Sequence, residues 1–354
     1  MKIAILSDIH ANYAALEAVI QKLAWLEDET GETFTTRFLG DLIGYGPTID
    51  TLACIRWLRE CPNSNWVPGN HDEWIISPNG GVREEAKLTL LSQKIFLSKE
   101  ENAEDWNWFN RKVSDVVEGK TAAIHTDETE DFFISYSHAS IGKDDQRSTY
   151  LYPWQLPLIG MKLQGYFTQA LPTAPTNLVC VGHTHFPMLI QQDDTKVLLR
   201  SIKYGQPIDI SSGKYMINPG SIGQGRDGDP RASFAIVDTE ARTLVFHKVE
   251  YNRNLTIRKL NAESTLITRK QASNPSLLGL TKQDVDPLYE LLGYNLGIES
   301  SEKIKKAYDR LVNHIATGDG GQLTQDFKRM YSIPEFDLTA FDHSFHNLVE
   351  TNME

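Results

Sequence analysis

Two histidines, His183 and His185, stand one residue apart in the stretch VCVGHTHFP, directly after a short apolar run. Along an extended strand, residues i and i+2 face the same way, so this spacing sends both imidazoles toward a common point. The other reading is a pair of packing or surface histidines in a loop. Earlier apolar runs end in the same kind of punctuation. One closes in SDIH, giving Asp8 and His10; the next in GDLIG, giving Asp41; a third in PGNHD, giving Asn70, His71 and Asp72; and a later one in SHAS, giving His138. Each alone has a plain structural reading, since an aspartate after a strand is a turn former or helix cap. Together they place oxygen and imidazole donors at one edge of a sheet, and in open α/β sheets the ligand crevice lies beyond the carboxyl ends of the strands. Such donors suit Mn, Fe, Zn or Ni rather than a thiolate-bound metal. They exceed the about four to six positions of a single ion, so two divalent ions sharing a carboxylate are expected.

The elements that must position these residues follow from hydrophobic spacing. Ile3–Leu6 reads as a strand buried on both faces, and Asn12–Glu27 carries Leu16, Ile20, Leu23 and Leu26 at helical intervals. Arg37–Leu39 and Asn65–Val67 read as further strands, with a helix over Thr48–Arg59 between them, a β-α-β-α-β rhythm that implies a parallel sheet. Residues 83–112 read as helical, Thr121–His125 and Phe132–Tyr136 as a strand pair, and Asn177–Val181 as another buried strand. The proline-bearing stretch 150–176 reads as loop with one short helix. Segments such as Lys196–Ile202, Lys214–Ile217, Ser233–Val237 and Leu244–Glu250 suggest a second, mostly antiparallel sheet. Helical spacing returns over 283–294 and 301–316, with a break at Gly318–Gly321. The expected architecture is α/β, an α+β sandwich of two packed mixed sheets flanked by helices. Residues 1–255 are expected to form the domain that carries the site, and 256–354 a helical extension packed on the core.

Composition narrows the class. A chain of 354 residues with 40% hydrophobic and 23% charged residues is that of an ordinary globular protein. A formal net charge of −12 argues against broad capture of nucleic acid or of an anionic membrane, while leaving room for a small phosphorylated substrate at a local cationic site. No apolar run reaches the length of a membrane span. The N-terminal MKIAILSDIHANY breaks off too early for a signal-peptide core. Cys54, Cys61 and Cys180 fit no metal or redox spacing and read as packing residues of a cytoplasmic protein.

The order D-x-H, G-D, G-N-H-D, single His, G-H-x-H resembles that of the calcineurin-like metallophosphoesterases, with every element present over residues 1 to about 250. The stretches DLIGYGPTID and NPGSIGQGRDGDPRASFAIVD are similar to a bacterial branch described as predicted phosphodiesterases or phosphatases. One departure is Ala139, where a glycine commonly follows the histidine of SHAS. The resemblance implies that Asp8, His10 and His185 bind one metal, that Asn70, His138 and His183 bind the second, and that Asp41 bridges them. The histidines of GHTH then serve different ions. It further implies a phosphoesterase in which a metal-bridging hydroxide attacks phosphorus in line. His71 then protonates the leaving oxygen or steadies the attacked phosphate.

Asp72 reads either as a partner orienting His71 or as an acidic turn residue. Arg226 could grip a distal phosphate through its planar guanidinium, or, like Arg231, pair with Asp227 or Asp229. Asn12 and Tyr45 lie just past the ligands and could line the pocket, although Asn12 also suits a helix cap. Gly182 would let the backbone turn tightly. Small phosphate esters are the expected partners, and a homo-oligomer is compatible with the helical extension, which could instead shape the cleft. The competing functions are a non-catalytic scaffold of this fold that binds a protein, and a protein serine/threonine phosphatase.

Overall fold

Strand β1 (Lys2–Leu6) sets the architecture because both of its faces are apolar: Ile3 and Ile5 point one way, Ala4 and Leu6 the other. A strand buried on both faces needs a layer on each side. Helix α1 (Tyr13–Thr30) covers one side with Ala15, Leu16, Val19 and Leu23, capped at its start by the Asn12 side chain and stopped by Gly31 at φ 68°. A second sheet covers the other. The computed structural model describes residues 1–61, 64–77, 83–129, 131–141, 150–152, 176–192, 197–268, 301–331 and 335–337.

Along the chain β1 and α1 are followed by β2 (Phe34–Phe38), α2 (Thr51–Glu60), β3 (Ser64–Trp66), α3 (Asn70–Trp74), α4 (Glu84–Leu97) and α5 (Ala103–Val117). Then come β4 (His125–Glu128), β5 (Phe133–Tyr136), β6 (Leu178–Cys180), β7 (Pro187–Gln192), β8 (Val197–Arg200), β9 (Ile208–Asp209), β10 (Lys214–Pro219), β11 (Ala232–Asp238) and β12 (Thr243–Val249). The last described elements are α6 (Arg253–Thr268), α7 (Ser301–Thr317), α8 (Gln322–Tyr331) and β13 (Glu335–Asp337). One sheet runs β3-β2-β1-β11-β12-β9 and the other β13-β8-β7-β10-β6-β5-β4. Ile3, Ile5, Ala235, Val237 and Phe246 of the first meet Ile134, Tyr136, Leu178, Leu189 and Ile217 of the second in an apolar layer between the sheets. Strands β1, β2 and β3 are mutually parallel, as are β5, β6 and β10, so each group sends its carboxyl ends to one edge.

Several elements differ from the sequence expectation. The segments between 187 and 250 do not form one sheet: β7, β8 and β10 join the second, whereas β9, β11 and β12 extend the first. The reason is β1, whose edge away from β2 is completed by the nearly all-buried β11, Lys2 opposite Asp238. The 83–112 helix is interrupted between Leu97 and Ala103, where the Asn102 side chain takes the Phe96 carbonyl. The hairpin strand lies at His125–Glu128 rather than 121–125, because His125 pairs with Tyr136. The extension is not purely helical, since β13 adds to the edge of β8. Helix α6 crosses residue 255, the expected boundary, and packs with Leu260 and Ile267 in the core that α1 shares. The 283–294 helix and nearly all of the 150–176 loop lie outside the described residues. Among those described, no helix is long and apolar enough to cross a membrane.

Candidate metal centre

The loops beyond β1, β2, β3, β5 and β6 converge, and their backbone is unusual. Asp8, His10, Asp41, His183 and His185 all have φ between 51° and 66°, a left-handed conformation that non-glycine residues rarely adopt. Strain of this kind persists where surrounding structure holds it, and here it gathers on the candidate ligands. GHTH therefore does not continue its strand, which ends at Cys180. The two histidines are aimed by loop conformation, not by strand alternation. Gly182 has no positive φ; its need is space, because an added Cβ would sit 2.0 Å from Ser7 Oγ and 2.8 Å from Asp8 Oδ2.

Asp8, His10, Asp41 and His185 present ligand atoms that all lie within 4.8 Å of one another, and so do Asp41, His138 and His183. Asp41 belongs to both groups. Its Oδ1 accepts the His71 backbone N–H at 2.9 Å, while Oδ2 has no hydrogen-bond partner among the described residues and lies 3.7 Å from His10 Nε2 and 3.5 Å from His138 Nε2. Asp8 is arranged alike. Its Oδ2 accepts from Ser7 Oγ and the His183 backbone N–H, whereas Oδ1, 3.3 Å from His185 Nε2, has no hydrogen-bond partner among the described residues. Asn70 Oδ1 stands 3.0 Å from His138 Nε2, completing the second group.

Backbone carbonyls fix the imidazole tautomers. His10 Nδ1 is 3.0 Å from Ile43 O, His138 Nδ1 2.6 Å from Leu39 O, and His185 Nδ1 2.6 Å from Gln224 O. A carbonyl only accepts, so each Nδ1 carries a proton, and the rings of His10 and His185, kept neutral by burial, turn their Nε2 lone pairs inward. His10 Nε2 and His185 Nε2 then face each other at 3.0 Å with no proton between them. Burial, with His185 alongside, holds His10 down to about 3, and burial, with Arg226 alongside, holds His185 well below the usual histidine range. At His138 burial opposes the charge, yet Asp41 and its own hydrogen bonds draw the ring up to about 9, so the field there favours a cation. Opposed lone pairs beside unpartnered carboxylate oxygens are costly unless a cation lies among them. Their separations suit donors around an ion with bonds of about 2.1 Å. The residues fit divalent metals.

His71 lies beside this cluster, 3% exposed, its Nδ1 without a hydrogen-bond partner among the described residues. Its ring centroid is 4.8 Å from that of His10, 4.5 Å from Tyr45 and 5.1 Å from Trp74. Asp72 does not reach it as a partner. The Asp72 carboxylate accepts N–H groups from Gly69, Asp41, Leu42 and Ile43, lacing the GDLIG turn to the GNHD turn. Asn12 is engaged inside the protein through Ala15 N, Gly223 O and Thr256 Oγ1, so it caps α1 and struts α6. Arg231 pairs with Asp229 at 2.6 Å. Arg226 is buried without a carboxylate partner among the described residues, its Nε and Nη1 unpaired. Cys54, Cys61 and Cys180 form no disulfide among the described residues, and Cys54 and Cys180 are buried.

Residues with no metal-ligand signature complete the support. Asn218 Nδ2 donates to Gly182 O and Thr184 Oγ1, and Ser221 Oγ donates to Asp8 O. Their only signal in the sequence is the NPGSIGQG run itself.

The family model of the calcineurin-like phosphoesterase superfamily domain matches residues 1–242. An uncharacterised protein (MJ0912) of Methanocaldococcus jannaschii is 28% identical over 253 residues, spanning 71% of this chain and 88% of that protein. A metallophosphoesterase from Sphaerobacter thermophilus has a similar structure, with TM-score 0.55 and 29% identity over 81% of this chain and 98% of that one. The hypothetical protein PH1004 from Pyrococcus horikoshii OT3 shares the fold, with TM-score 0.54 and 18% identity over 81% of this chain and 97% of that one.

Proposed function

Because the chain belongs to the calcineurin-like phosphoesterase superfamily, whose membership implies metal-dependent phosphoester hydrolysis, we propose that it hydrolyses phosphate mono- or diesters by in-line displacement at phosphorus. Asp8, His10 and His185 would hold one divalent ion and Asn70, His138 and His183 the other, with Asp41, which belongs to both groups, available to each. The observation that carries this reading is the pair of inward lone pairs of His10 and His185, 3.0 Å apart beside unpaired carboxylate oxygens. Manganese, iron, zinc or nickel suits this donor set. Two such ions supply Lewis-acid charge and an activated water for attack on phosphorus.

The remaining steps fall to side chains. His71, fixed through its backbone N–H on Asp41 Oδ1, holds beside the cluster a ring nitrogen with no partner among the described residues; burial keeps the ring neutral, and its role is to steady the attacked phosphate or to relay a proton to the departing oxygen. Tyr45 and Trp74 flank that ring and keep bulk water from it. Asp72 keeps Asp41 and His71 in register by tying their two turns together.

The test is a substrate panel on protein stripped of metal and then reconstituted with Mn2+. We expect hydrolysis of p-nitrophenyl phosphate or bis(p-nitrophenyl) phosphate that vanishes on stripping. Full metal occupancy with no hydrolysis of any ester would instead assign the chain to the non-catalytic scaffolds.

A further inference from the structure

Arg226 is 4% exposed, and among the described residues its Nε and Nη1 have no hydrogen-bond partner, while Nη2 reaches Gln224 Oε1 at a long 3.4 Å. A buried cation is normally paired, yet the carboxylates in its own turn are committed elsewhere. Asp227 pairs with the buried Lys248 at 2.8 Å, and Asp229 with Arg231. Gln224, which Nη2 reaches, turns its carbonyl to His185 Nδ1 at 2.6 Å, so Arg226 stands at the rim of the first metal group. The phenols of Tyr45, Tyr150 and Tyr152 and the Asp8 carboxylate favour its charge against the cost of burial.

The turn that carries Arg226 is held by the chain's last described third, outside the matched family region. Thr324 Oγ1 donates to the Arg226 carbonyl and receives the Gly320 N–H at 2.6 Å. The Gly228 N–H donates to Gly318 O at 2.8 Å, and Asp227 bridges Asp319. Gly320 packs so closely that an added Cβ would lie 3.1 Å from Arg226 Cβ. His314, whose carbonyl accepts the Gly318 N–H, is held down to about 4 by burial and by Arg226, so it brings no competing charge. The extension thus fixes a charged side chain with unused donors next to the metal centre.

Arg226 belongs to neither metal group, and its Nε and Nη1 have no acidic partner among the described residues, so both donors are open to an anionic ligand. We propose that Arg226, seated by Thr324 and the Gly318–Gly321 loop, binds a second phosphoryl group, so that the substrate class is an ester or anhydride carrying two neighbouring phosphoryl groups. This rests on the dinuclear phosphoesterase reading above. A planar fork of N–H donors matches such a group bidentately, and a charged contact of this kind alters affinity by about tenfold or more.

Calorimetry on the Mn2+-loaded protein tests this with two ligands that are not hydrolysed, methylenediphosphonate and methylphosphonate, in excess free Mn2+. We expect the two-phosphoryl ligand to bind the wild-type protein at least about tenfold more tightly. That ratio falls by about tenfold in Arg226→Gln and recovers in part in Arg226→Lys. Thr324→Val lowers the ratio through the turn it holds, and Thr324→Ser restores it. An equal loss of both ligands in Arg226→Gln, or no loss of either, overturns the proposal, since Arg226 would then serve the attacked phosphate or the fold alone. Failure of the phosphoesterase reading looks different: the ratio responds to Arg226 while the loaded wild-type protein hydrolyses no ester.

Discussion

At the scale of single residues, function rests on atoms left unpaired on purpose by their neighbours. Asp8 and Asp41 each give one carboxylate oxygen to hydrogen bonds and keep the other free. His10, His138 and His185 are turned inward by backbone carbonyls. His71 has a free ring nitrogen in the same enclosure but belongs to neither metal group. His71→Ala should therefore lower kcat by about 10² or more while the metal content measured by mass spectrometry stays at the wild-type level. Unchanged turnover would remove it from the reaction. That these side chains would meet at one place was legible in the sequence because oxygen and imidazole donors recur after successive apolar runs. The tautomers were not, because they depend on Ile43, Leu39 and Gln224, carbonyls whose positions follow only from the folded loops. Asp72 shows the same limit, since an acidic residue after a histidine reads equally as its partner or as a brace for distant N–H groups.

At the scale of elements, parallel strands bring the loops together and left-handed backbone aims their side chains. The parallel rhythm of β1, β2 and β3 was legible from short apolar runs alternating with helical spacing. The positive φ values at Asp8, Asp41 and His183 were not, since nothing in those residue types demands them. Close packing makes Gly182 irreplaceable. Gly182→Ala would drive a methyl into Ser7 and Asp8, and should weaken metal affinity by about 10–100-fold, as loss of an outer support does elsewhere. Retention of wild-type affinity in a titration with Mn2+ would contradict that. In β12, His247 stacks on Phe234 with centroids 4.8 Å apart, and burial, with Lys22 nearby, holds its pKa down to about 4. Unfolded, it takes up its proton near 6.5. Its stabilising effect is complete above that value and is lost as pH falls toward about 4, because the unfolded chain binds more protons in that window. Denaturant titrations of His247→Phe should therefore show a flatter loss of stability between these limits than the wild-type protein. An identical slope would exclude His247 as a source of acid sensitivity.

At the scale of the molecule, the apolar layer between two sheets forms a rigid frame, and the C-terminal helices lock onto the face that carries the site. Glu263 of α6 is central to that docking: its buried carboxylate accepts from Thr48 N at 2.8 Å, Thr48 Oγ1 at 2.7 Å and Tyr308 Oη at 2.7 Å. Glu263→Leu leaves these donors without an acceptor and should cost on the order of 2–4 kcal/mol of unfolding free energy in urea. A change below the error of the titration would show that the extension is held otherwise. Helical spacing revealed that such an extension exists. Its grip on Arg226 depends on Thr324 and Gly318 meeting a turn about a hundred residues earlier in the chain, a pairing that no local pattern encodes. The account as a whole stands on two ions that share Asp41, and metal stoichiometry tests it most directly. Mass spectrometry of Mn2+-reconstituted, desalted protein should find about two ions per chain in the wild type and about one or fewer in Asp41→Asn. One ion in the wild-type chain, or two retained in Asp41→Asn, would contradict it.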